Sequence, residues 1–281
     1  MRELHVNEII PVVEKMCIQA ASVLPSDVMD VIKKAYEKEE SPLGKNILNL
    51  LVENATVAAN EEVPICQDTG ITLVFVEVGQ DLRIVGGSLY DAINEGVRRG
   101  YVNGYLRKSV VSDPIFERKN TGDNTPAVIY TDIVPGDKLK IALMPKGGGS
   151  ENMSQLRMLI PADGPEGIKK FVLEAVERAG PNPCPPIILG IGIGGTMDKA
   201  AVLSKKALLR KVGEPHPDPR IAAFEREILE EVNKLGIGPQ GLGGRITALA
   251  VHIEIYPTHL VALPVAISFQ CHAARHVEVV L

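Results

Sequence analysis

The stretch "PPIILGIGIGGT" (residues 185–196), followed at once by "MDKAAVLSKKALLRK" (197–211), decides the fold class. Its first part is a short apolar run, opened by two prolines and closed by a glycine turn, which reads as a buried strand. The second part spaces its apolar residues as a helix does. A strand that turns on glycine straight into a helix is a building unit of α/β proteins. Gly190, Gly192 and Gly195 also match the G-x-G-x-x-G of dinucleotide sites. That fingerprint asks for an acidic residue about 20 positions on, at the end of a second strand. Glu214 has roughly that distance but stands in the proline-rich "GEPHPDP" (213–219). An NAD-binding oxidoreductase using Gly190 to Gly195 is one reading, and a close backbone approach to some other ligand is another.

Outward from this stretch, strands and helices mix without a repeat. Upstream, "VNEIIPVVEKMCIQAASVL" (6–24), "PSDVMDVIKKAYEKEE" (25–40) and "SPLGKNILNLLVENATVAANEE" (41–62) predict three helices, the second with Ser26 or Asp27 as its N-cap. "ITLVFVEVG" (71–79) and "LRIVGG" (82–87) read as strands, and "SLYDAINEGVRRGYVNGYL" (88–106) as a helix. Residues 125–152 supply two strands joined by a Pro-Gly turn and end in "PKGGGSEN" (145–152), before a stretch expected to be helical. "PEGIKKFVLEAVERAG" (165–180) and "RIAAFEREILEEVNKLG" (220–236) are amphipathic, and residues 247–271 predict two more strands. The expectation is an α/β fold of mixed β-sheets with surrounding helices and a helical N-terminal portion. No Ser/Gly linker divides residues 1–281, so a single domain is expected.

Apolar residues make up 45% of the 281 and charged ones 23%, as in an ordinary globular protein, while the lack of Trp calls for an aliphatic core. A net charge of -5 argues against nucleic acid and anionic membranes as partners. No apolar run reaches the ~18 residues of a membrane span, and "MRELHVNEII" lacks the apolar core of a signal peptide. A cytoplasmic protein is expected. There the four cysteines would not form disulfides, and without a C-x-x-C they do not suggest a zinc ribbon.

Cys17 falls on the apolar side of the first helix and reads as a core side chain. Cys66 in "PICQDTG" (64–70), Cys184 in "GPNPCPP" (180–186) and Cys271 in "SFQCHAARH" (268–276) stand in loops or at strand ends. Loops on a rigid scaffold are where ligands gather, and thiolates bind soft metals and iron–sulfur clusters. Three such cysteines can ligate three irons of a cubane and leave the fourth open; unrelated buried cysteines are the commoner case. The glycines of "PKGGGSEN" can turn backbone N–H groups toward an anion or simply form a turn, with Ser150 as an N-cap in either case. Arg107 opens "RKSVVSDP" (107–114), and His252, His259, His272 and His276 gather near the end together with Arg275.

Taken together, "ICQDTG", "LRKSVVSDP", "KGGGSEN", "GIGIGGTMDKAAVLSKKALLR" and "SFQCHAARH" resemble the class I fumarate hydratase family, and more closely the α subunit of its two-subunit form, shared with L-tartrate dehydratase. The resemblance runs from about residue 8 to the end, with the motifs in order. It implies an oxygen-sensitive 4Fe-4S cluster held by Cys66, Cys184 and Cys271, and reversible addition of water to a C=C bond beside a carboxylate. It assigns Asp68 to acid–base chemistry and Gln67, Asp68, Arg107 and Gly148 or Gly149 to the substrate, a small dicarboxylate. His259 corresponds, more loosely, to a family active-site histidine. Long members continue into a C-terminal domain with further cationic substrate ligands and a threonine that acts with the aspartate; this sequence stops ten residues after Cys271. A β subunit in trans is therefore implied, in an assembly of two α and two β subunits. Fumarate and L-tartrate both remain open as substrates, with fumarate favoured by the general motifs.

Overall fold

A computed structural model describes residues 2–281. In chain order the elements are β1 (Arg2–His5), α1 (Val6–Ser22), α2 (Ser26–Lys38), α3 (Pro42–Glu61), β2 (Ile71–Gly79), β3 (Leu82–Val85), α4 (Leu89–Asn103), β4 (Val128–Val134), β5 (Leu139–Lys146), α5 (Gly148–Glu151), β6 (Gln155–Leu159), α6 (Gly164–Ala179), β7 (Ile187–Gly194), α7 (Met197–Ala207), α8 (Pro219–Lys234), β8 (Ala248–Tyr256), β9 (Leu263–Gln270) and β10 (Val277–Val280). They fall into two compact units, one of Met1–Leu24, Ala55–Gly148 and Arg275–Leu281, the other of Pro25–Asn54 and Gly149–Ala274.

In the first unit a four-stranded sheet runs β10-β5-β2-β4, with β2 parallel to β4 and antiparallel to β5. β2 is central and reads as an almost unbroken apolar run because both of its faces are covered. α1 begins at a reciprocal cap: His5 Nδ1 accepts from the Asn7 N–H at 3.1 Å, and Glu8 Oε1 accepts from the His5 N–H at 3.2 Å. It packs on α4 through Val13 and Cys17, which are buried with Val97 and Tyr101 in one aliphatic cluster. The approach needs glycine on α4: a Cβ at Gly96 would lie 2.6 Å from the Val13 Cβ, and one at Gly100 would lie 2.6 Å from the Cys17 Cβ. The stretch Val6–Lys38 has the length and mean hydropathy of a membrane span. It is broken into α1 and α2, and α1 buries Ile9, Val13 and Met16 in the core.

In the second unit the order is β6-β9-β7-β8, again mixed: β7 is parallel to β8 and antiparallel to β9. α7 lies on β7, where a Cβ at Gly190 would overlap the Ser204 carbonyl oxygen and one at Gly192 the Ala200 carbonyl oxygen. Gly190 and Gly192 thus serve helix-on-strand packing, while Gly194 and Gly195 take the positive φ of the turn. Glu214 lies in the connection between α7 and α8, away from any strand end. An aliphatic cluster in this unit joins Phe171 and Val172 of α6 to Leu189, Ile228 and Phe269. The mixed sheets, the surrounding helices and the helices α1 to α3 are the α/β architecture expected.

Three local expectations change. α2 begins at Ser26 behind Pro25 without a side-chain cap, and the Asp27 carboxylate instead accepts from the Val212 N–H at 2.7 Å. After the glycine run the chain makes only the short α5, with Ser150 inside it, and then becomes strand β6. There "QLRML" pairs antiparallel with β9, so the ladder overrides the helical expectation.

Candidate functional site

The loop 65–70 enters β2, and hydrogen bonds hold it at both ends. The Ile65 N–H donates to the Ala21 carbonyl at 2.9 Å. Cys66 is partly exposed, its Sγ 3.3 Å from Gln67 Oε1. Asp68 accepts twice from backbone: Oδ1 from the Gly70 N–H at 3.0 Å and Oδ2 from the Gly148 N–H at 2.7 Å. Gly70 sits at φ +72, and a Cβ there would lie 2.7 Å from the Lys146 backbone, so the turn admits no side chain.

The carbonyls of this loop are caught by buried side chains. Arg275 Nη2 donates to the Asp68 carbonyl at 2.9 Å. The Tyr101 hydroxyl donates to the Thr69 carbonyl at 2.6 Å, with the Gly70 carbonyl 3.2 Å away. Asn124 Nδ2 donates to the Gly70 carbonyl at 3.0 Å, while its Oδ1 accepts from the Ser109 N–H at 2.7 Å. Thr69 Oγ1 donates to the Arg107 carbonyl at 2.7 Å. Asp68 and the exposed Arg107 are therefore fixed on one frame, a carboxylate and a guanidinium presented from neighbouring loops. Tyr101, Asn124 and Arg275 do this from below and are fully buried. Sequence reasoning does not single out the first two and notes Arg275 only as a neighbour of histidines; their one signal is polarity at positions that prove to be core.

The second unit holds the other candidates. Cys184 is exposed and left-handed, at φ +54, in the loop before β7. Its carbonyl lies 3.0 Å from His272 Nδ1 and accepts from the His272 N–H at 3.4 Å. The carbonyl makes Nδ1 the protonated nitrogen, and Gln240 Nε2 gives its own N–H to the Pro185 carbonyl at 2.8 Å. Cys271 precedes His272, so the two cysteine loops are tied together. Gly149 packs on the Asn182 carbonyl, which a Cβ would approach to 2.8 Å. His259 stands exposed in the turn after β8, its Nδ1 accepting from the Val261 N–H at 3.4 Å. His252 is buried in β8, with Nδ1 3.2 Å from the Ala207 carbonyl.

The donor set suits a soft metal cluster. None of the four cysteines is in a disulfide among the described residues. Cys17 is 1% exposed, and burial, reinforced by the Glu14 charge, pushes its pKa up, so it stays a protonated core group. Cys66, Cys184 and Cys271 lie outside the core. Among the described residues no three His, Cys, Asp or Glu converge on a single-ion site. A cubane does not ask for that, since each thiolate binds a different iron.

The model of the fumarate hydratase (fumerase) family matches residues 10–280, through both units. The chain is 48% identical over 268 residues to the putative L(+)-tartrate dehydratase subunit alpha of Methanocaldococcus jannaschii, covering 94% of each chain. It is 37% identical over 277 residues to the L(+)-tartrate dehydratase subunit alpha of Escherichia coli, covering 98% of this chain and 91% of that one. The subunit of that name from Shigella sonnei is 36% identical over 276 residues. With its full-length match and its α/β architecture, the chain belongs to the fumarate hydratase family, whose members are hydro-lyases.

Proposed function

We propose that the chain is the α subunit of a cytoplasmic iron–sulfur hydro-lyase that reversibly hydrates fumarate to malate together with a separate β subunit, as two α and two β subunits. The observation that carries the reading is the Asp68 loop, with a carboxylate held in one orientation two residues after a free thiol and on one frame with an exposed arginine. Cys66, Cys184 and Cys271 would hold a 4Fe-4S cluster, which supplies Lewis acidity to make hydroxide a better leaving group.

The remaining roles fall to the chain's own side chains. Arg107 offers a guanidinium fork to one substrate carboxylate. Gly148 and Gly149 add backbone N–H donors, and Gln67 adds an amide. In the dehydration direction Asp68 takes the proton from the carbon beside the carboxylate, and it returns that proton in hydration. His259, in an exposed turn, is the second residue assigned to acid–base work.

A second reading, L-tartrate dehydration to oxaloacetate, is favoured by the printed names of the relatives. Malate and L-tartrate, the hydroxy acids of the two reactions, differ by one hydroxyl, which the β subunit can meet. The test is to co-express both subunits, purify them without oxygen, count iron and sulfide, and assay fumarate and L-tartrate on the same sample. Near four irons per αβ pair with malate formation supports the first reading, and oxaloacetate from L-tartrate alone supports the second. A colourless complex that takes up no iron on reconstitution overturns both.

A further inference from the structure

Arg275 has no role in that scheme, yet it is the largest fully buried side chain, 1% exposed. Only its Nη2 is used, on the Asp68 carbonyl at 2.9 Å. Nε and Nη1 are buried without a hydrogen-bond partner. A guanidinium taken out of water with one hydrogen bond and no ion pair among the described residues is a costly arrangement. It is tolerated where a nearby negative charge belongs to the working state. The loop that Arg275 grips carries two groups able to be anions, the Asp68 carboxylate and the Cys66 thiol.

We propose that Arg275 is a positioning residue for the Asp68 loop and the fixed counter-charge for the anions that loop gathers once the cluster is loaded. The first part rests on the hydrogen bond. The second rests on the cofactor reading above and on the two unpartnered nitrogens. No proton or electron passes through Arg275. It holds the Asp68 carbonyl so that the carboxylate faces the reacting carbon, and it offsets the negative charge gathered there.

Two variants of the α subunit, each in the complete αβ complex, separate these contributions. Arg275→Gln keeps an amide donor for the carbonyl and loses the charge, whereas Arg275→Lys keeps the charge and loses the planar fork. The readouts are the midpoint potential of the reconstituted cluster, the melting temperature of the cluster-free complex, and kcat against KM. Arg275→Gln is expected to move the potential to more negative values, because removing a nearby positive charge disfavours an added electron. Its kcat should fall about ten- to a hundredfold with KM held, the usual loss for an outer-shell partner of a metal site. Its cluster-free melting temperature should hold or rise, and Arg275→Lys should keep the wild-type potential. An unmoved potential in a fully loaded Arg275→Gln complex overturns the proposal, as does an equal loss of cluster-free stability in both variants, which would make Arg275 a packing residue. Wild-type complex that takes up no iron overturns the cofactor reading as well, so the two failures are told apart.

Discussion

The Asp68 carboxylate accepts a hydrogen bond from the Gly148 N–H at 2.7 Å across eighty residues of chain. Strand register sets this meeting. β2 and β5 are antiparallel, with Ile71 opposite Lys146, so the loop entering β2 and the glycines leaving β5 share one end of the pair. A slip of one residue would turn every side chain of the strand to the other face and break the contact.

A hydro-lyase needs a group that takes and returns a proton at a fixed place. Asp68→Asn keeps an oxygen for the Gly148 N–H but cannot take that proton. Hydration should fall by about 10²–10⁴-fold, the usual share of general acid–base catalysis, while iron content and melting temperature hold. A malate assay and an iron count on one sample check this. Inactive protein that has also lost iron would make Asp68 a structural residue.

Asn124 is a buried bridge between the Asp68 loop and the Arg107 loop. Alanine there leaves the Gly70 carbonyl with only the Tyr101 hydroxyl, 3.2 Å away, and takes from the Ser109 N–H its acceptor. It also puts a non-glycine residue without a polar side chain at φ +65, where Asn is better tolerated. Asn124→Ala should cost about 1–3 kcal/mol in a urea melt, the range for weakening the hydrogen bonds of a buried polar group. Activity should fall even under conditions where the fold persists. A variant of wild-type stability would show that the two loops hold their places unaided.

The four cysteines should separate cleanly. Cys184→Ala is expected to lose iron and sulfide after anaerobic reconstitution. Cys17→Ala should keep both and lose only about 1 kcal/mol for a small cavity between α1 and α4. Iron missing from Cys17→Ala would mean that the wrong thiol had been left out of the ligand set.

Gly192→Ala tests why 190–195 is rich in glycine. The added methyl would overlap the Ala200 carbonyl oxygen of α7, a backbone atom that no rotamer change can clear. Overpacking typically costs about 1–3 kcal/mol, and a backbone neighbour puts this case at the upper end or above it. Chemical denaturation measures it. Near-normal stability would return these glycines to the list of candidate ligand contacts.

Elements with strong periodicity were legible in the sequence. β2 and β7 are short apolar runs covered on both faces, and α1 spaces Ile9, Val13 and Met16 as a helix must. β1 and β10 have four residues each and carry no pattern until partners pair with them. β6 is strand because β9 offers it a ladder, which local propensity cannot announce. The candidate site divides in the same way. Cysteines in loops and an aspartate beside one of them stand out by residue type. Tyr101, Asn124 and Arg275 act on main-chain carbonyls, and nothing in a sequence says which carbonyl a buried donor will find.

Glu39 makes the clearest pH prediction. It is buried between α2 and α3, where Oε1 accepts from the N–H groups of Glu40, Ser41 and Arg245, each at 2.9 Å, and Oε2 accepts from the Ile246 N–H at 2.8 Å. Burial alone would raise its pKa, but the backbone donors outweigh that and hold it below the ordinary carboxylate value. A carboxyl depressed in the folded state stabilises the fold above its unfolded pKa, and that contribution is lost as pH falls through the folded value. Glu39→Gln should therefore be less stable than wild type at pH 7, because a neutral amide receives four N–H groups less well. The gap should narrow as pH falls below about 4, where the unfolded carboxyl takes its proton first and the folded one after it. Urea melts of both proteins at neutral and acid pH give the comparison. A gap that stays constant across that range would mean that Glu39 acts through its shape and not its charge.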